Sequence, residues 1–285
     1  MSDVRHGCGA VSVGFRQGNA WECDVHMLKN EVGGWFCVKH GYARRLAAMM
    51  LIFSLMPLAN GLAWTDQAHM AMGLAAGFRC FHNCVAPDAA RTVAAINGLS
   101  ETDNQAHFFN APADYVLTTE DAYAQLQFVG KQGEECPDGY LLGAILQTTR
   151  LCKEKTAVGA YDDEYYAVLL HYAADLAQPL HMSVYDDFNR QYHFACDHIL
   201  TDQEAEYPVL AAIALADELT VDDTLCFETE EQLLEAVITL AAQSQALGKT
   251  MRAEQRNITR EEALMQVSRA AAIGRAIMRY CGKIK

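Results

Sequence analysis

Apolar residues recur at every third or fourth position through most of the chain from about residue 64 onward. This spacing places them on one face of an α-helix, whereas the strict alternation typical of β-strands is almost absent. A polar stretch at 98–115 is predicted to be a loop. The pattern predicts helices at about 64–83, from Pro87 onward, and at 118–132, 138–153, 162–178, 189–200, 203–217, 229–248 and 260–280. We therefore expect a single all-α, multi-helix domain.

The first 63 residues differ from the rest of the chain. Residues 46–63 contain no charged side chain, follow two arginines and end on small residues. A basic start, an apolar centre and a small-residue end are typical of a secretory signal peptide, and the run is too short for a membrane span. We interpret 44–63 as a signal peptide cleaved after Ala63, with a buried helix as the alternative, so the protein is expected to be secreted or periplasmic. Residues 1–43 form an N-terminal extension, which a wrongly chosen start would explain.

The predicted mature chain, 64–285, has 222 residues, enough for one domain with a sizeable core. The whole chain has a formal charge of −14, and the mature part, with 16 Lys and Arg against 32 Asp and Glu, has −16. An acidic surface argues against broad electrostatic binding to nucleic acid or anionic membranes. Seven of the ten cysteines are in the mature part. In an exported protein they can form disulfides, with at least one thiol left over and the pairing open.

The stretch 171–197 concentrates side chains that bind metals in a chain where histidine is scarce. His171 and Asp175 are four residues apart and so share one face of a predicted helix. This helix is expected to end near Pro179. His181 follows the break, where the chain can turn its ring back toward the same face.

A second pair, His193 and Asp197, repeats the four-residue spacing on the next predicted helix. Five imidazole and carboxylate groups at these intervals predict a site for more than one divalent metal, and this mixture of ligands suits zinc. The alternative for either pair alone is an amphipathic helix with ordinary surface side chains. His82 and His198 are interpreted as surface or core histidines.

Cleavage after Ala63 would make Trp64 the new N-terminus, whose α-amine and carbonyl oxygen can together bind a metal. His69, a little more than one helical turn later, can join them. Metal binding would then depend on export. Taken alone, Trp64 is interpreted as an aromatic anchor in the core.

Together these residues resemble the phospholipase C/zinc nuclease superfamily. Its two branches are the single-strand-specific zinc nucleases, of the nuclease S-one and P-one type, and the bacterial zinc-dependent phospholipases C. The resemblance runs through the whole predicted mature chain, and the HxxxD and QPLH strings between 171 and 181 are its most specific part. It implies an all-α fold with three zinc ions in one cleft.

The resemblance also implies how the ligands are divided. One zinc would be held by Asp88, His107, His171 and Asp175, a second by the Trp64 backbone, His69 and Asp175, and the third by His181, His193 and Asp197. Two zinc ions that share a carboxylate can ionise a water molecule between them, and a third can bind the phosphate. Asp88 and Arg91 are the expected catalytic residues. Asp103 is the alternative to Asp88 as a ligand, and a solvated helix charge is the alternative for Arg91.

Several features favour the nuclease branch. These are the W-x4-H spacing, the D-x-x-R of 88–91, the HFFNAP of 107–112, the segment from Cys136 to 144–145, and an aspartate ending the final HxxxD. Phe108 would stack on a base, since every base offers a π-face to an aromatic ring. Asn110 would contact the base as well, although the nuclease pattern has aspartate there.

Other features favour phospholipase C. Only eleven residues separate His181 from His193, without the Gly-Gly-Asn insertion typical of the nucleases, and the APD of 86–88 also occurs among phospholipases. We favour a nuclease acting on single-stranded DNA or RNA, and keep a phospholipase C acting on phospholipid head groups as the alternative. No stable protein partner is predicted, and a monomer is expected. A third class is a secreted helical binding protein with purely structural metals, but a structural zinc usually has four protein ligands and the third site offers three.

Overall fold

The computed structural model describes residues 64–96, 104–112, 114–131 and 136–285, with side chains described except at 94–96. The helices in these ranges are α1 Asp66–Ala75, α2 Ala86–Ile96, α3 Thr119–Gln125, α4 Leu141–Ala157, α5 Asp163–Leu176, α6 Asp187–Asp197, α7 Pro208–Glu218, α8 Glu230–Ala253 and α9 Arg260–Tyr280. Short 3₁₀ helices span Phe81–Val85 and Asn104–His107, and no strand occurs among the described residues. The all-α prediction is confirmed. The predicted signal peptide and N-terminal extension lie outside the described ranges.

Several helices begin or end at other residues than the apolar pattern predicts. Helix α4 begins at Leu141 rather than 138, because Gly139 has a left-handed φ of +80° that no helix accommodates. Helix α7 begins at Pro208 rather than 203: Tyr207 is extended, with φ −125° and ψ 99°, and proline suits the first helical position. Helix α3 ends at Gln125, well before 132. No described helix is long and apolar enough to cross a membrane.

Helix α5 lies at the centre of the fold, packed against α1, α4 and α9. Every residue from Leu169 to Leu176 is buried, so this part of the helix has no face in water. The buried stretch nevertheless includes His171 and Asp175. Since buried polar groups are costly unless they have partners, the two side chains require partners inside the protein.

The C-terminal end of α5 is fixed by the two longest helices. Gln266 of α9 donates a hydrogen bond of 3.1 Å to the carbonyl oxygen of Ala177 and another of 2.9 Å to Ser244 of α8. The connection from α5 to α6, which contains His181, therefore starts from a rigidly held point.

All seven described cysteines are free thiols. Burial raises the pKa of the Cys84 thiol to about 12. Cys84 therefore stays protonated near neutral pH, and it lies in the core as a small apolar residue.

Candidate metal centre

Three groups of histidine and aspartate side chains converge in the interior, and within each group the ligand atoms lie within 4.8 Å of one another. Cluster A is His69, His171 and Asp175, cluster B is Asp88, His107 and His171, and cluster C is His181, His193 and Asp197. All members are buried. They are the eight side chains that the sequence predicts as metal ligands, so side chains able to bind metal ions are brought together as expected.

Helix α5 carries His171, which belongs to clusters A and B, and Asp175, which contacts residues of both. His171 Nδ1 donates a 2.7 Å hydrogen bond to the carbonyl oxygen of Cys84, which directs Nε2 into the clusters. There Nε2 lies 3.3 Å from Asp175 Oδ2, 3.1 Å from His107 Nδ1 and 3.8 Å from Asp88 Oδ1. The four-residue spacing on α5 thus places imidazole and carboxylate side by side.

The two oxygens of Asp175 face different histidines. Oδ2 lies 2.8 Å from His107 Nδ1, and Oδ1 lies 3.6 Å from His69 Nε2. Asp175 Oδ1 and His69 Nε2 are both buried, and neither has a hydrogen-bond partner. Most buried polar atoms in native proteins are paired. A zinc ion with bonds of about 2.0–2.2 Å to nitrogen and oxygen fits between two such atoms, so the residues present suit a metal at this position.

The backbone of Trp64 lies within reach of the His69 ring. It acts on the His69 ring, where it opposes the fall in that ring's pKa. The Trp64 side chain is fully buried in the core. The described residues therefore bury the predicted aromatic anchor and place the predicted backbone ligand next to the His69 ring, whereas cleavage after Ala63 concerns a residue outside them.

Burial and the neighbouring charged groups together set the pKa values of the side chains in this centre. Burial raises the pKa of Asp175 to about 6, although His171 opposes it. Burial alone would lower the pKa of His171, but Asp175 and Asp88 raise it to about 9. Burial and the neighbouring rings hold the pKa of His69 and His107 well below the usual range. The His69 and His107 rings are therefore neutral near pH 7, and the neutral form of imidazole is the one that binds metals.

In cluster C the rings of His181 and His193 face each other through nitrogen atoms that carry lone pairs. His181 Nδ1 donates to the carbonyl oxygen of His107 at 2.6 Å, and His193 Nδ1 donates to Asn189 Oδ1 at 2.7 Å. Burial and then His193 hold the pKa of His181 well below its usual range. The two Nε2 atoms nevertheless lie 3.2 Å apart, close to the roughly 3.3 Å between two nitrogen ligands of a tetrahedral zinc.

Asp197 completes cluster C. Its Oδ2 lies 3.6 Å from His193 Nε2, and burial raises its pKa well above the usual range. A carboxyl group in such a place ionises most readily beside a cation. The chemistry of the three donors, two imidazoles and one carboxyl group, therefore suits a divalent metal.

Two amide side chains position cluster C, and the sequence analysis assigned no role to either. Gln178 donates to Asp197 Oδ1 at 2.6 Å and accepts from the backbone N–H of His181 at 3.2 Å, so it connects the two ligands. Asn189 donates to the carbonyl oxygen of Leu180 at 2.7 Å while it accepts from His193. Asn189 is four residues before His193 on α6, and the same spacing rule that singles out His193 and Asp197 could have identified it.

Arg91 lies in the interior with Asp88. Its Nη1 donates to Asp88 Oδ1 at 3.1 Å, and the side chain is only 7 % exposed. Arg91 also lowers the pKa of both His107 and His181, so its charge acts on clusters B and C. The alternative of a solvated helix charge is therefore wrong. Asp103, the alternative ligand, lies outside the described residues.

A cavity of about 420 Å³ opens beside cluster C, with His181, His193, Phe108 and Asn110 in its wall. The Phe108 ring is half-buried and held from behind by Gly139, whose missing side chain leaves room for it. The cavity thus brings the two predicted substrate-binding residues next to predicted metal ligands. His82 is exposed and His198 half-buried, and neither joins a cluster among the described residues.

Comparison with models of known protein families, with curated proteins and with solved structures finds no match to this chain. The functional proposal therefore depends on the side chains themselves.

Proposed function

We propose that this protein is a zinc-dependent phosphodiesterase of the phospholipase C/zinc nuclease type, a hydrolase that cleaves P–O bonds of single-stranded nucleic acid. The observation that carries the proposal is the buried Asp175, whose two oxygens face two different histidines. Oδ1 and His69 Nε2 lie 3.6 Å apart, and neither has a hydrogen-bond partner. A carboxylate placed in this way suits two metal ions at once.

The ligand sets proposed for three zinc ions follow the clusters. Cluster B with Asp175 would hold one, Asp175 and His69 with the Trp64 backbone a second, and cluster C the third. Zinc bound there would supply a nucleophile at neutral pH and stabilise negative charge on the phosphate. Cluster C offers three protein ligands, which suits a site that also receives substrate.

The protein's own groups add to this chemistry. Arg91 is a cation with little exposure to water, and its charge already acts on the rings of clusters B and C. A guanidinium in such a place would neutralise charge that develops on phosphate oxygens. Asp88 holds Arg91 Nη1 and so fixes the direction of the guanidinium.

The nucleic-acid substrate is proposed from the cavity wall. Phe108 presents an aromatic ring next to His107, where a base can stack. The Asn110 amide, in the same wall, can both donate and accept hydrogen bonds with a base edge. Double-stranded DNA should be a poor substrate because its paired bases cannot enter the cavity.

One observation favours the alternative, a zinc-dependent phospholipase C. Leu210, Tyr207 and Phe194 are 62 %, 58 % and 57 % exposed, and apolar side chains of this size would suit contact with a lipid surface.

The deciding experiment uses the full chain produced in a host that exports it, with and without a chelator. Single-stranded DNA, RNA and phosphatidylcholine vesicles are compared side by side, and zinc is counted by elemental analysis. We expect close to three zinc ions per chain and chelator-sensitive cleavage of the nucleic acids. One zinc or none in active protein would contradict the three-zinc proposal, and dominant lipid hydrolysis would favour the alternative.

The variant that tests base stacking is Phe108→Ala. Loss of one stacking contact weakens binding of single strands by about tenfold to hundredfold. The same variant should hydrolyse bis(4-nitrophenyl) phosphate, which has no base, with a much smaller change. An equal loss on both substrates would show that Phe108 supports the fold of the cavity instead.

A further inference from the structure

The cavity beside cluster C contains a cation that the proposed chemistry does not use. Among the described residues of its wall, Arg190 is the one Lys or Arg side chain. It lies on α6, three residues before His193, so both side chains leave the same face about one turn apart. A substrate that binds next to His193 in this cavity would therefore have Arg190 in the same wall.

Arg190 lies nearer the solvent than the cluster. Its side chain is 52 % exposed, whereas that of His193 is 10 % exposed. A phosphate seated at cluster C would therefore leave Arg190 outward of it, toward the cavity mouth.

The environment of Arg190 suits a phosphate group. Its guanidinium carbon lies 5.5 Å from the centre of the Tyr185 ring, and this ring also lines the cavity. Stacking on an aromatic ring leaves the planar N–H groups of arginine directed sideways, where they can bind two oxygens of one phosphate.

In the structure the Arg190 guanidinium is paired with the Asp187 carboxylate. The Asp187 side chain is 98 % exposed, so water can take over its hydrogen bonds. Exposed ion pairs contribute little to stability, and a phosphate can therefore displace this carboxylate at low cost.

We infer that Arg190 binds the phosphodiester group next to the scissile one in a single-stranded nucleic acid. The inference rests on the proposed nuclease function and names what the enzyme selects: a strand with consecutive phosphates over a molecule with one phosphodiester. Phosphatidylcholine offers the opposite, since the second charge of its head group is positive.

The test compares two thymidine substrates without terminal phosphates, a dinucleotide with one phosphodiester and a trinucleotide with two. A hydrogen-bonded charge pair is worth about tenfold to hundredfold in binding, so wild-type protein should favour the trinucleotide in kcat/KM by about that factor. Arg190→Gln should remove most of this preference, and Arg190→Lys, which keeps the charge without the planar fork, should retain part of it. Asp187→Asn, which frees Arg190, should raise the preference by up to about fivefold.

Arg260→Gln is the matched control. Arg260 is also a half-exposed arginine paired with a carboxylate, that of Glu218, but it does not line the cavity. Arg260→Gln should therefore leave the preference for the trinucleotide unchanged. Arg190→Gln should also reduce the slope of log KM against log salt concentration by about 0.7 for the trinucleotide, the contribution of one phosphate contact to single-strand binding.

The outcomes separate the inference from the proposed function. Wild-type protein that cleaves both substrates with equal kcat/KM keeps the proposed function and overturns the inference. So does an Arg190→Gln variant, with wild-type melting temperature and zinc content, that matches Arg260→Gln in preference and in salt slope. Wild-type protein that cleaves neither substrate overturns the proposed function and this inference with it.

Discussion

The approach of Gly139 to Phe108 leads to a prediction that is independent of any metal. Gly139 has a φ of +80°, and a Cβ added there would lie 2.1 Å from the carbonyl oxygen of Phe108 and 2.5 Å from Cδ2 of its ring. Gly159 also has a left-handed φ, +64°, but nothing lies within 4 Å of its added Cβ. Alanine at the two positions therefore imposes similar backbone strain, and only at 139 does it also collide.

The destabilisation expected from alanine at position 139 has two parts. A non-glycine residue in the left-handed region costs about 1–2 kcal/mol, and both variants bear this cost. At 139 the Phe108 carbonyl must also retreat by about 1.3 Å to reach ordinary contact at 3.4 Å. That shift disrupts the 3.2 Å hydrogen bond that it accepts from the N–H of Leu141. Overpacking and the lost hydrogen bond add about 2–4 kcal/mol.

Thermal unfolding measures the difference. In a domain of this size 1 kcal/mol lowers Tm by about 2–4 °C, so Gly159→Ala should lower Tm by roughly 2–8 °C and Gly139→Ala by roughly 6–24 °C. Single-strand binding should weaken in Gly139→Ala alone, because the Phe108 ring leaves its place in the cavity wall. Equal Tm shifts in the two variants would refute the reasoning, since the close approach would then relax at no cost.

Other predictions concern the metal centre and the protein surface. Asp175→Ala should lose most of the activity and at least one zinc by elemental analysis, and a chelator should lower the Tm of wild-type protein but change that of the variant less. Asn189→Leu leaves His193 Nδ1 without its acceptor, so zinc affinity should fall by about 10–100-fold in a competition titration, whereas no change would show that Asn189 does not orient His193. Lys283 lowers the pKa of Asp163 through an ion pair of 2.7 Å, so the pair stabilises the fold above the ordinary aspartate pKa and its contribution disappears as pH falls through the lowered value. Lys283→Met should thus be less stable than wild type by under about 1 kcal/mol at pH 7, and urea unfolding at decreasing pH should show this difference shrinking as Asp163 is protonated.

The sequence predicts best what depends on local periodicity. The pairs His171–Asp175 and His193–Asp197 could be placed on helix faces because four-residue spacing is a property of the helix itself. The position of His181 after the break at Pro179 follows from proline chemistry in the same way. These rules account for five of the eight ligand side chains, whereas the expectation for Asp88 and His107 depends on the family resemblance.

What the sequence does not reveal depends on packing between distant segments. Arg190 and Tyr185 become cavity residues only because the connection from α5 to α6 packs against 104–110, and no local spacing encodes this contact. The burial of Arg91 also depends on tertiary packing, since the sequence alone predicts that a charged helix residue is exposed to water. The early end of α3 at Gln125 was missed because apolar spacing continues beyond it.

His107 has a consequence for how the centre can move. Its ring belongs to cluster B, while its carbonyl oxygen accepts the hydrogen bond that orients the ring of His181 in cluster C. The carbonyl oxygen of His181 in turn accepts from the N–H of Phe109 at 2.8 Å. The spacing between the two clusters is thus fixed largely by the covalent bonds of one residue, and the 107–109 segment and His181 act as a single mechanical link. A displacement of the aromatic wall would disturb both clusters together, so natural or engineered variation in substrate choice is more easily accommodated on the α6 side of the cavity than on the His107 side.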